Sequence, residues 1–557
     1  MTDGATDGAT DGATSWNTTK GDAFEFFFGY PDEAAYAAAV EQLVADKVAS
    51  RIAAQDQTLW GEAAEEESAK RLSWVGLASS SRPLVAEIQE LHANLLGQRL
   101  TRIVLCGMGG SSLAPEVICE AAGKELVVLD SSDPDFVRTA LEQDLDRTVV
   151  VVSSKSGGTV ETDSQRRAFE RAFTDAGIDP KGRIVVVTDP SSPLDKSATD
   201  AGYRVFRADP NVGGRYSALT AFGLVPSGLA GVDIGALLDE TAAVVPALEA
   251  DSPDNPGLRL GALLGVANLA GVDKVVLADA GSPYAGFGDW AEQLIAESTG
   301  KDGKGILPVV VEGTDAPNYS PSTPDEVLVT YGPDFDDSVR PTSGFGASVD
   351  ASLGAQLLLW EYATAVAGRV IGINPFDQPD VESAKQAARD MLEGAGDAPE
   401  PTFTDGEVDV YASGDWLPAD TSTVAEAVAA LLGGLDETHG YVAVQAYLDR
   451  HRDAALAGVR PALATRTGRP VTFGWGPRFL HSTGQYHKGG PATGVYLQVT
   501  GEPVADLEIP DRPFTFQGFI TAQAIGDGSV LADKGRPVLR LHARRLEALE
   551  GIQEALA

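Results

Sequence analysis

Short β-branched runs alternate with helical stretches along most of the chain. From residue 100 onward the apolar runs are TRIVLCG, KELVVLD, TVVVVSSK, RIVVVTD and YRVFRAD. After a helical bridge at 233–270 a second set follows, comprising KVVLADA, ILPVVVEG, DEVLVTYG and RVIGINPFD. Short apolar strands separated by helices are typical of a parallel sheet covered by helices on both faces. The pattern therefore predicts an α/β protein with two doubly wound parallel-sheet domains.

Polar and glycine-rich segments divide this pattern into regions. The opening TDGATDGATDGAT repeat offers too little apolar surface to fold, and EGAGDAPEPTFTDGE has the composition of a linker. After that linker, runs such as PVTFGW and GVYLQVT predict a further α/β region. The predicted regions are a disordered acidic tail (1–21), a helical region (22–97), a first sheet domain (98–232), a second sheet domain (233–394), a linker (395–407) and a C-terminal α/β region (408–557).

Charge limits the partners that the chain can bind. Its 557 residues include 81 acidic and 42 basic side chains, which gives a formal net charge of −39. A strongly negative surface repels the phosphates of nucleic acids and of anionic membranes, so neither is expected as a partner. A small anionic substrate is compatible with this charge, because it needs only a local cluster of donors.

The cellular compartment can be inferred from the lack of targeting signals and from the use of cysteine. The sequence contains no run of eighteen apolar residues, and its start lacks the basic and apolar segments of a signal peptide. The two cysteines, Cys106 and Cys119, match neither a zinc site nor a disulfide framework. We therefore expect a cytoplasmic protein.

The first candidate phosphate loop is GMGGSS at 107–112, directly after an apolar run. Ligands of open α/β sheets bind beyond the carboxyl ends of strands, and the helix that follows this loop presents its N-terminus to an anion. The loop begins like a dinucleotide-binding GxGxxG motif, and Asp130 ends the next strand as such a fold requires. Ser112 occupies the position of the last glycine, however, so the dinucleotide interpretation is weakly supported.

The second candidate loop is SSKSGGT at 153–159, after the run TVVVV. It packs four hydroxyls, one ammonium and two glycines into seven residues before a predicted helix. Such donors satisfy several oxygens of one phosphate, whereas a dinucleotide fold has no need of them. We therefore interpret the two loops as the cradle of a small phosphorylated substrate, although a serine-rich turn without a ligand would have the same composition.

Five motifs in the same order carry a family resemblance: GMGGSS at 107–112, SKSGGTVET at 154–162, GGRYS at 213–217, ESTGK at 297–301 and FDQPDVESAK at 376–385. Together they resemble the phosphoglucose isomerase family, whose domains have the sugar-isomerase (SIS) fold. The C-terminal stretch GPRFLHSTGQYHKGGP at 477–492 is similar to the isomerase half of transaldolase–isomerase fusions. The resemblance thus covers both sheet domains and part of the C-terminal region.

The resemblance implies interconversion of glucose 6-phosphate and fructose 6-phosphate by a homodimer that needs neither a cofactor nor a metal. Glu297 would move the proton between C1 and C2, Arg215 would stabilise the enediolate, and Lys385 would assist at the ring oxygen. The residues expected to bind the phosphate end of the substrate are Gly110, Ser111, Ser154, Lys155, Ser156 and Thr159.

The helical pattern around Glu297 suits a proton-transfer role. In DWAEQLIAESTGK, Trp290, Leu294 and Glu297 share one face, and Gly300 ends the helix. Glu297 thus continues the apolar face in the last turn, where the helix dipole disfavours negative charge. Glu292 lies on the opposite face. Spacing alone is equally compatible with a partly exposed glutamate at a helix end.

Arg215 and Lys385 have comparable local arguments. A guanidinium in a turn after two glycines suits a developing oxyanion, although a surface arginine would have the same sequence. Lys385 shares a predicted helix face with Val381, Ala388 and Leu392. A lysine on such a face often extends its ammonium to water instead.

The family's ring-opening histidine, which a neighbouring subunit contributes, is missing. No histidine occurs between His92 and His439, and Ser352 stands in its place. A histidine of the C-terminal region could substitute, with His481 favoured over His487. Otherwise the enzyme acts on open-chain sugar or opens the ring with Lys385 and water. Two further functions stay open: an isomerase that also accepts mannose 6-phosphate, and a regulator that binds sugar phosphates without turnover.

Overall fold

The computed structural model describes residues 17–20, 23–392 and 399–557. Three β-sheets flanked by helices lie in this part of the chain. The strands are β1 Asn17–Lys20, β2 Phe24–Gly29, β3 Arg102–Gly107, β4 Val127–Leu129, β5 Thr148–Ser153, β6 Ile184–Thr188, β7 Arg204–Arg207, β8 Lys274–Asp279, β9 Leu307–Val310, β10 Glu326–Tyr331, β11 Gly346–Ala351, β12 Phe403–Asp405, β13 Val408–Ser413, β14 Tyr441–Tyr447, β15 Val471–Trp475, β16 Gly494–Gly501 and β17 Val538–Ala543.

The α-helices cover these sheets. They are α1 Glu33–Ala45, α2 Val48–Ala53, α3 Glu65–Ser68, α4 Leu77–Ser80, α5 Arg82–Gly97, α6 Leu113–Ala121, α7 Pro134–Glu142, α8 Val160–Asp175, α9 Pro193–Ala201, α10 Ala221–Leu229, α11 Ile234–Leu248, α12 Pro256–Leu269, α13 Phe287–Thr299, α14 Leu353–Ile371, α15 Val381–Leu392, α16 Val424–Gly433, α17 Val459–Thr467, α18 Gly484–Gly489, α19 Phe516–Asp533 and α20 Ala548–Leu556.

The first sheet has the order β4-β3-β5-β6-β7, and all neighbouring strands are parallel. Strand β5 is buried along its whole length, as expected when helices cover both faces of a parallel sheet. The last residues of β3 and β5, Gly107 and Ser153, are register partners. The two predicted phosphate loops therefore leave the sheet side by side.

The second sheet has the order β1-β2-β11-β10-β8-β9. Strands β8 to β11 are parallel, whereas β1 and β2 add an antiparallel edge. β1 comes from the predicted tail, and β2 comes from the region predicted to be helical. The predicted strand RVIGINPFD is wrong, because its first residues form the end of α14. Val370 packs against Gly265 of α12, so its β-branched side chain serves a helix–helix contact.

The third sheet has the order β12-β13-β17-β16-β14-β15, with β14 to β17 parallel. The loops after β14 and β15 reach the first sheet's elements: Arg450 donates to the carbonyl oxygen of Val128, and Arg478 pairs with Glu116. The carboxyl end of the third sheet therefore faces the domain that contains the first sheet. The predicted α/β fold class with a C-terminal α/β region is confirmed.

The region boundaries stay predictions. Asn17–Lys20, at the end of the predicted tail, pairs with β2, and residues 1–16 and 21 of that tail lie outside the described residues. Of the predicted linker, residues 395–398 lie outside them too, while Phe403–Asp405 belongs to the third sheet. Within the described ranges, none of the helices has the length and apolarity needed to cross a membrane.

Candidate active site

A cleft of about 710 Å³ opens where β3 and β5 end. Its walls come from the two phosphate loops, the turn at 213–215, helix α13, the segment 376–385 and the turn that contains His481. The structure brings all ten predicted site residues to this cleft. They are Gly110, Ser111, Ser154, Lys155, Ser156, Thr159, Arg215, Glu297, Lys385 and His481.

Close backbone packing joins the first phosphate loop to the arginine turn. A Cβ atom at Gly110 would lie 2.0 Å from the carbonyl oxygen of Gly214, so only glycine allows this contact. Ser217 reinforces it by donating its hydroxyl to the carbonyl of Gly110 at 3.3 Å. Arg215 is thereby held beside the loop that contains Ser111.

The second phosphate loop gathers hydroxyls at the start of α8. The hydroxyls of Ser154 and Thr159 lie 3.0 Å apart, and the hydroxyl of Ser156 accepts from the backbone N–H of Gly158 at 3.2 Å. Thr159 is also the N-cap residue of α8. Because a helix N-terminus attracts anions, these hydroxyls and the first amides of α8 form a concave set of donors for a phosphate.

Lys155 lies at the edge of this set. Its ammonium donates to Asp189 at 2.7 Å and to the carbonyl of Pro210 at 3.3 Å. Burial lowers the pKa of Lys155, and the hydrogen bond and charge of Asp189 oppose that effect only in part. Sequence patterns did not indicate Asp189, because it follows a different strand, β6.

Glu297 lies in the last turn of α13 and is 8% exposed. One carboxylate oxygen is 3.3 Å from Nη1 of Arg215, and the other accepts from Nε2 of Gln293 at 3.0 Å. Both oxygens are therefore held, which fixes the carboxylate in the cleft. Sequence reasoning missed Gln293, although its position one helical turn before Glu297 was a usable signal.

A second buried cation supports this pair. Lys301 is 1% exposed and donates to the carbonyls of Asn374 and Asp377 and to the Asp377 carboxylate, all within 2.7 Å. Arg215 donates to the carbonyls of Phe376 and Asp377 at 2.9 and 3.0 Å. Burial and then the charge of Arg215 lower the pKa of Lys301 to about 8. The ESTGK motif contains Lys301, but its spacing gave no indication of this role.

His481 reaches the cleft from the C-terminal region. Its Nε2 is 3.1 Å from Oε1 of Glu161, which also accepts from Nε2 of Gln523 at 2.8 Å. The carbonyl of His481 accepts from Gln293 at 2.8 Å. Burial raises the pKa of Glu161, but the hydrogen bond and charge of His481 and the charge of Lys385 together bring it below its ordinary value.

The other candidates for the missing histidine lie elsewhere. His487 is buried between Tyr441 and Tyr496, and its Nδ1 is 3.2 Å from the Tyr441 hydroxyl. Burial and the charge of Lys488 hold the pKa of His487 well below its usual range, so it is a neutral core residue. Ser352 is the N-cap residue of α14 and is not among the described residues that line the cleft.

Glu292 differs from the expectation of a glutamate on an outward face. The C-terminal region covers that face of α13, and the Ser482 hydroxyl donates to Glu292 at 3.3 Å. Burial and the charge of Asp289 raise the pKa of Glu292 to about 8. Helical periodicity shows which residues share a face but not which distant segment packs on it.

The cleft thus combines a hydroxyl-rich loop at a helix N-terminus with a buried carboxylate beside an arginine, on α/β units whose central strands are parallel. Such a loop has the donors that a phosphate needs, and a fixed, buried carboxylate suits proton transfer on carbon beside a carbonyl. The fold and the site define a protein of the sugar-isomerase class.

Comparisons with known proteins agree with this class. A family model described as phosphoglucose isomerase matches residues 88–303. A probable glucose-6-phosphate isomerase of Haloarcula marismortui is 32% identical over 344 residues, which cover 52% of this chain and 78% of the relative. A glucose-6-phosphate isomerase of Citrifermentans bemidjiense is 30% identical over 357 residues, covering 54% and 67%. The chain belongs to the phosphoglucose isomerase family.

Solved structures share the fold. A glucose-6-phosphate isomerase of Chlamydia trachomatis superposes with a TM-score of 0.58 at 20% identity, over 69% of this chain and 91% of that one. A hypothetical protein of Thermus thermophilus gives 0.57 at 23% identity, over 66% and 99%. Within the described residues no cluster of three or more His, Cys, Asp or Glu side chains is arranged to hold a metal. A reaction without metal or cofactor stays a prediction.

Proposed function

We propose that the protein interconverts glucose 6-phosphate and fructose 6-phosphate. The observation that carries this proposal is the position of Glu297, whose buried carboxylate is held by Arg215 and Gln293 in the same cleft as the hydroxyl-rich loop. An aldose–ketose isomerisation needs a fixed base beside C2 and an anchor at the far end of the substrate. The names of the relatives support this substrate.

The phosphate group of the substrate binds at the start of α8. Ser154, Ser156 and Thr159 supply hydroxyls there, and Ser111 adds another from the neighbouring loop. The absence of a side chain at Gly110 lets the first loop pack against the turn that holds Arg215, so that both border the same cleft. Lys155 contributes positive charge at the edge, moderated by its pair with Asp189.

Ring opening is assigned to His481. The C1–O5 bond breaks as O5 accepts a proton from the imidazole and the C1 hydroxyl releases its proton to solvent. Glu161 holds the imidazole through the contact at 3.1 Å, and Gln523 holds Glu161. Lys385, in the same cleft, adds positive charge beside the ring oxygen.

Proton transfer is assigned to Glu297. The carboxylate takes the proton from C2 of the open-chain aldose, and negative charge develops on O1. Arg215, whose guanidinium is 3.3 Å from that carboxylate, stabilises the enediolate. The C2 hydroxyl proton then moves to O1, and Glu297 returns its proton to C1, which yields the ketose.

A coupled assay on purified protein tests the proposal with two substrates. Turnover of glucose 6-phosphate supports the proposal. Additional turnover of mannose 6-phosphate would extend the specificity, because the shape of the cleft decides which C2 configuration is accepted. Binding of both sugars without turnover would contradict catalysis and favour a regulator.

The Glu297→Gln variant tests the role of the base. We expect it to lose exchange of the C2 proton with deuterated solvent by at least about a thousandfold, because an amide does not accept the proton. Exposed Glu90→Gln on α5 is the matched control and should keep wild-type exchange. Exchange retained in Glu297→Gln would exclude Glu297 as the base.

A further inference from the structure

A buried ion cluster lies directly before His481 in the sequence. Arg478 begins the one-turn helix Arg478–His481 and places its guanidinium 2.5 Å from Glu116 and 3.1 Å from Asp130. Arg450 joins the cluster at 2.7 Å from Glu116. Burial raises the pKa of Glu116, but the charges of Arg478 and Arg450 lower it to about 2, so the carboxylate stays ionised.

The cluster joins the C-terminal region to the domain that contains the first sheet. Glu116 lies on α6, the helix that follows the first phosphate loop, and Asp130 follows β4. Arg478 and Arg450 follow β15 and β14 of the third sheet. The guanidinium of Arg478 is therefore fixed relative to the phosphate loops and is only three residues from His481.

The C-terminal end of the turn Arg478–His481 is held by contacts with α13. The carbonyl of His481 accepts from Gln293, and Ser482 donates to Glu292, both on α13. Because the turn is anchored at Arg478 on one side and at α13 on the other, the imidazole of His481 has little freedom to leave Glu161.

Other ion pairs of the C-terminal region involve neither the turn nor the Glu116 cluster. Arg452 pairs with Asp135 at 2.6 Å, and Lys534 pairs with Asp380 at 2.6 Å. They hold the C-terminal region in place independently of Arg478. Loss of Arg478 should therefore loosen the His481 turn before it releases the whole region.

We propose that Arg478 is a positioning residue: its ion pairs with Glu116 and Asp130 hold His481 over the cleft of its own chain, so that one chain forms a complete active site. The inference rests on the proposed function. It differs from the arrangement that the family resemblance implies for typical members, in which a neighbouring subunit contributes the ring-opening histidine.

The first test separates ring opening from proton transfer. Ring opening and closing alone interconvert the α and β anomers of glucose 6-phosphate, a rate that exchange NMR measures without isomerisation. We expect Arg478→Met to slow anomer exchange and kcat by roughly tenfold to a hundredfold with KM within about threefold, because a misplaced acid costs the ring-opening step. Arg478→Lys should recover part of this loss, since it keeps one charge.

Arg452→Met is the matched control, because it removes an ion pair of the same interface, with Asp135, that involves neither Glu116 nor Asp130. It should keep anomer exchange and kcat within about twofold of the wild type. Wild-type anomer exchange in both Arg478 variants would overturn the inference. So would an equal loss of anomer exchange in Arg452→Met, which would indicate general docking.

The second test asks which chain supplies the histidine. Glu297→Gln and His481→Ala chains are co-expressed with different tags, and complexes that carry both tags are isolated. If His481 served a partner's cleft, each mixed dimer would regain one intact site and about half of the wild-type activity. We expect no gain over the separate variants; a gain of that size would overturn the inference. An inactive wild type would instead refute the proposed function.

Discussion

Glu161 and His481 are 320 positions apart in the sequence, yet their side chains are 3.1 Å apart in the cleft. The glutamate belongs to the first turn of α8 and the histidine to the loop after β15. No histidine occurs between His92 and His439, so the two predicted sheet domains contain no histidine that could open the ring. The C-terminal region therefore takes part in the proposed chemistry.

The Glu161→Gln variant should slow anomer exchange of glucose 6-phosphate roughly tenfold or more, because an amide holds the imidazole less firmly than a carboxylate does. His481→Ala should slow it further. Exchange of the C2 proton on open-chain sugar depends on Glu297 and should change far less in both variants. Glu170→Gln, on the outer part of α8, is the control. If both rates fell equally, Glu161 would have only a structural role.

Replacement of Gln293 by leucine should impair both halves of the reaction. The Gln293 amide donates to Glu297 at 3.0 Å and to the carbonyl of His481 at 2.8 Å, so it links the base to the ring-opening turn. We expect kcat to fall about tenfold to a hundredfold, and anomer exchange to fall as well. Exposed Gln98→Leu should change neither rate. Normal anomer exchange in Gln293→Leu would show that the amide serves Glu297 alone.

Lys301 should impose an alkaline limit on activity. Its pKa lies near 8, and its ammonium donates to three oxygens of Asn374 and Asp377 beside Arg215. Above about pH 8 the neutral amine keeps only two donors, so kcat should decline. Lys301→Met should have a kcat roughly tenfold lower and should lack this decline. A pH profile of kcat measures both, with exposed Lys304→Met as control.

Titration of Lys301 should raise the free energy of unfolding above about pH 8, where kcat is expected to fall. Folding lowers the pKa of Lys301 from 10.5 to about 8, so between these values the unfolded chain binds more protons than the folded one. This group therefore makes the free energy of unfolding rise with pH in that window. Thermal unfolding followed from about pH 8 to about pH 10 separates the two effects. A decline in kcat that tracks a decline in Tm would contradict the assignment.

Glu292 should weaken the fold as pH rises. Burial and the charge of Asp289 raise its pKa from 4.5 to about 8, so the folded state binds more protons in that range and the free energy of unfolding falls with pH. Glu292→Gln stays neutral, and its Tm should exceed that of the wild type by about 2–4 °C near pH 8 but not near pH 5. Exposed Glu90→Gln should show no such pH dependence. An equal Tm difference at both values would count against titration of Glu292.

Much of the fold could be predicted from the sequence, because parallel strands buried on both faces read as continuous apolar runs. β5 is the clearest case, and the hydroxyl-rich loop after it was found from composition alone. RVIGINPFD was misjudged, since a β-branched run also suits a helix that packs against glycines, as Val370 does against Gly265. Strand β2 was missed because its partner β11 lies more than 300 positions away.

The residues of the site also fall into those that could be predicted from the sequence and those that could not. Residues within family motifs, such as Ser154 and Glu297, could be predicted, and the structure gathers them in one cleft. Asp189, Gln523 and the covered face around Glu292 could not, because their neighbours come from other strands or from the C-terminal region. Local spacing carries no information about contacts of that kind.

The docking of the third sheet has a consequence for truncation. The stretch matched by the family model, residues 88–303, includes Glu116 and Asp130 but not the two arginines that neutralise them. A fragment cut to that stretch would lose the arginines that pair with Glu116 and Asp130 and would lack both Lys385 and His481. The proposed active site therefore extends beyond the stretch that the family model matches.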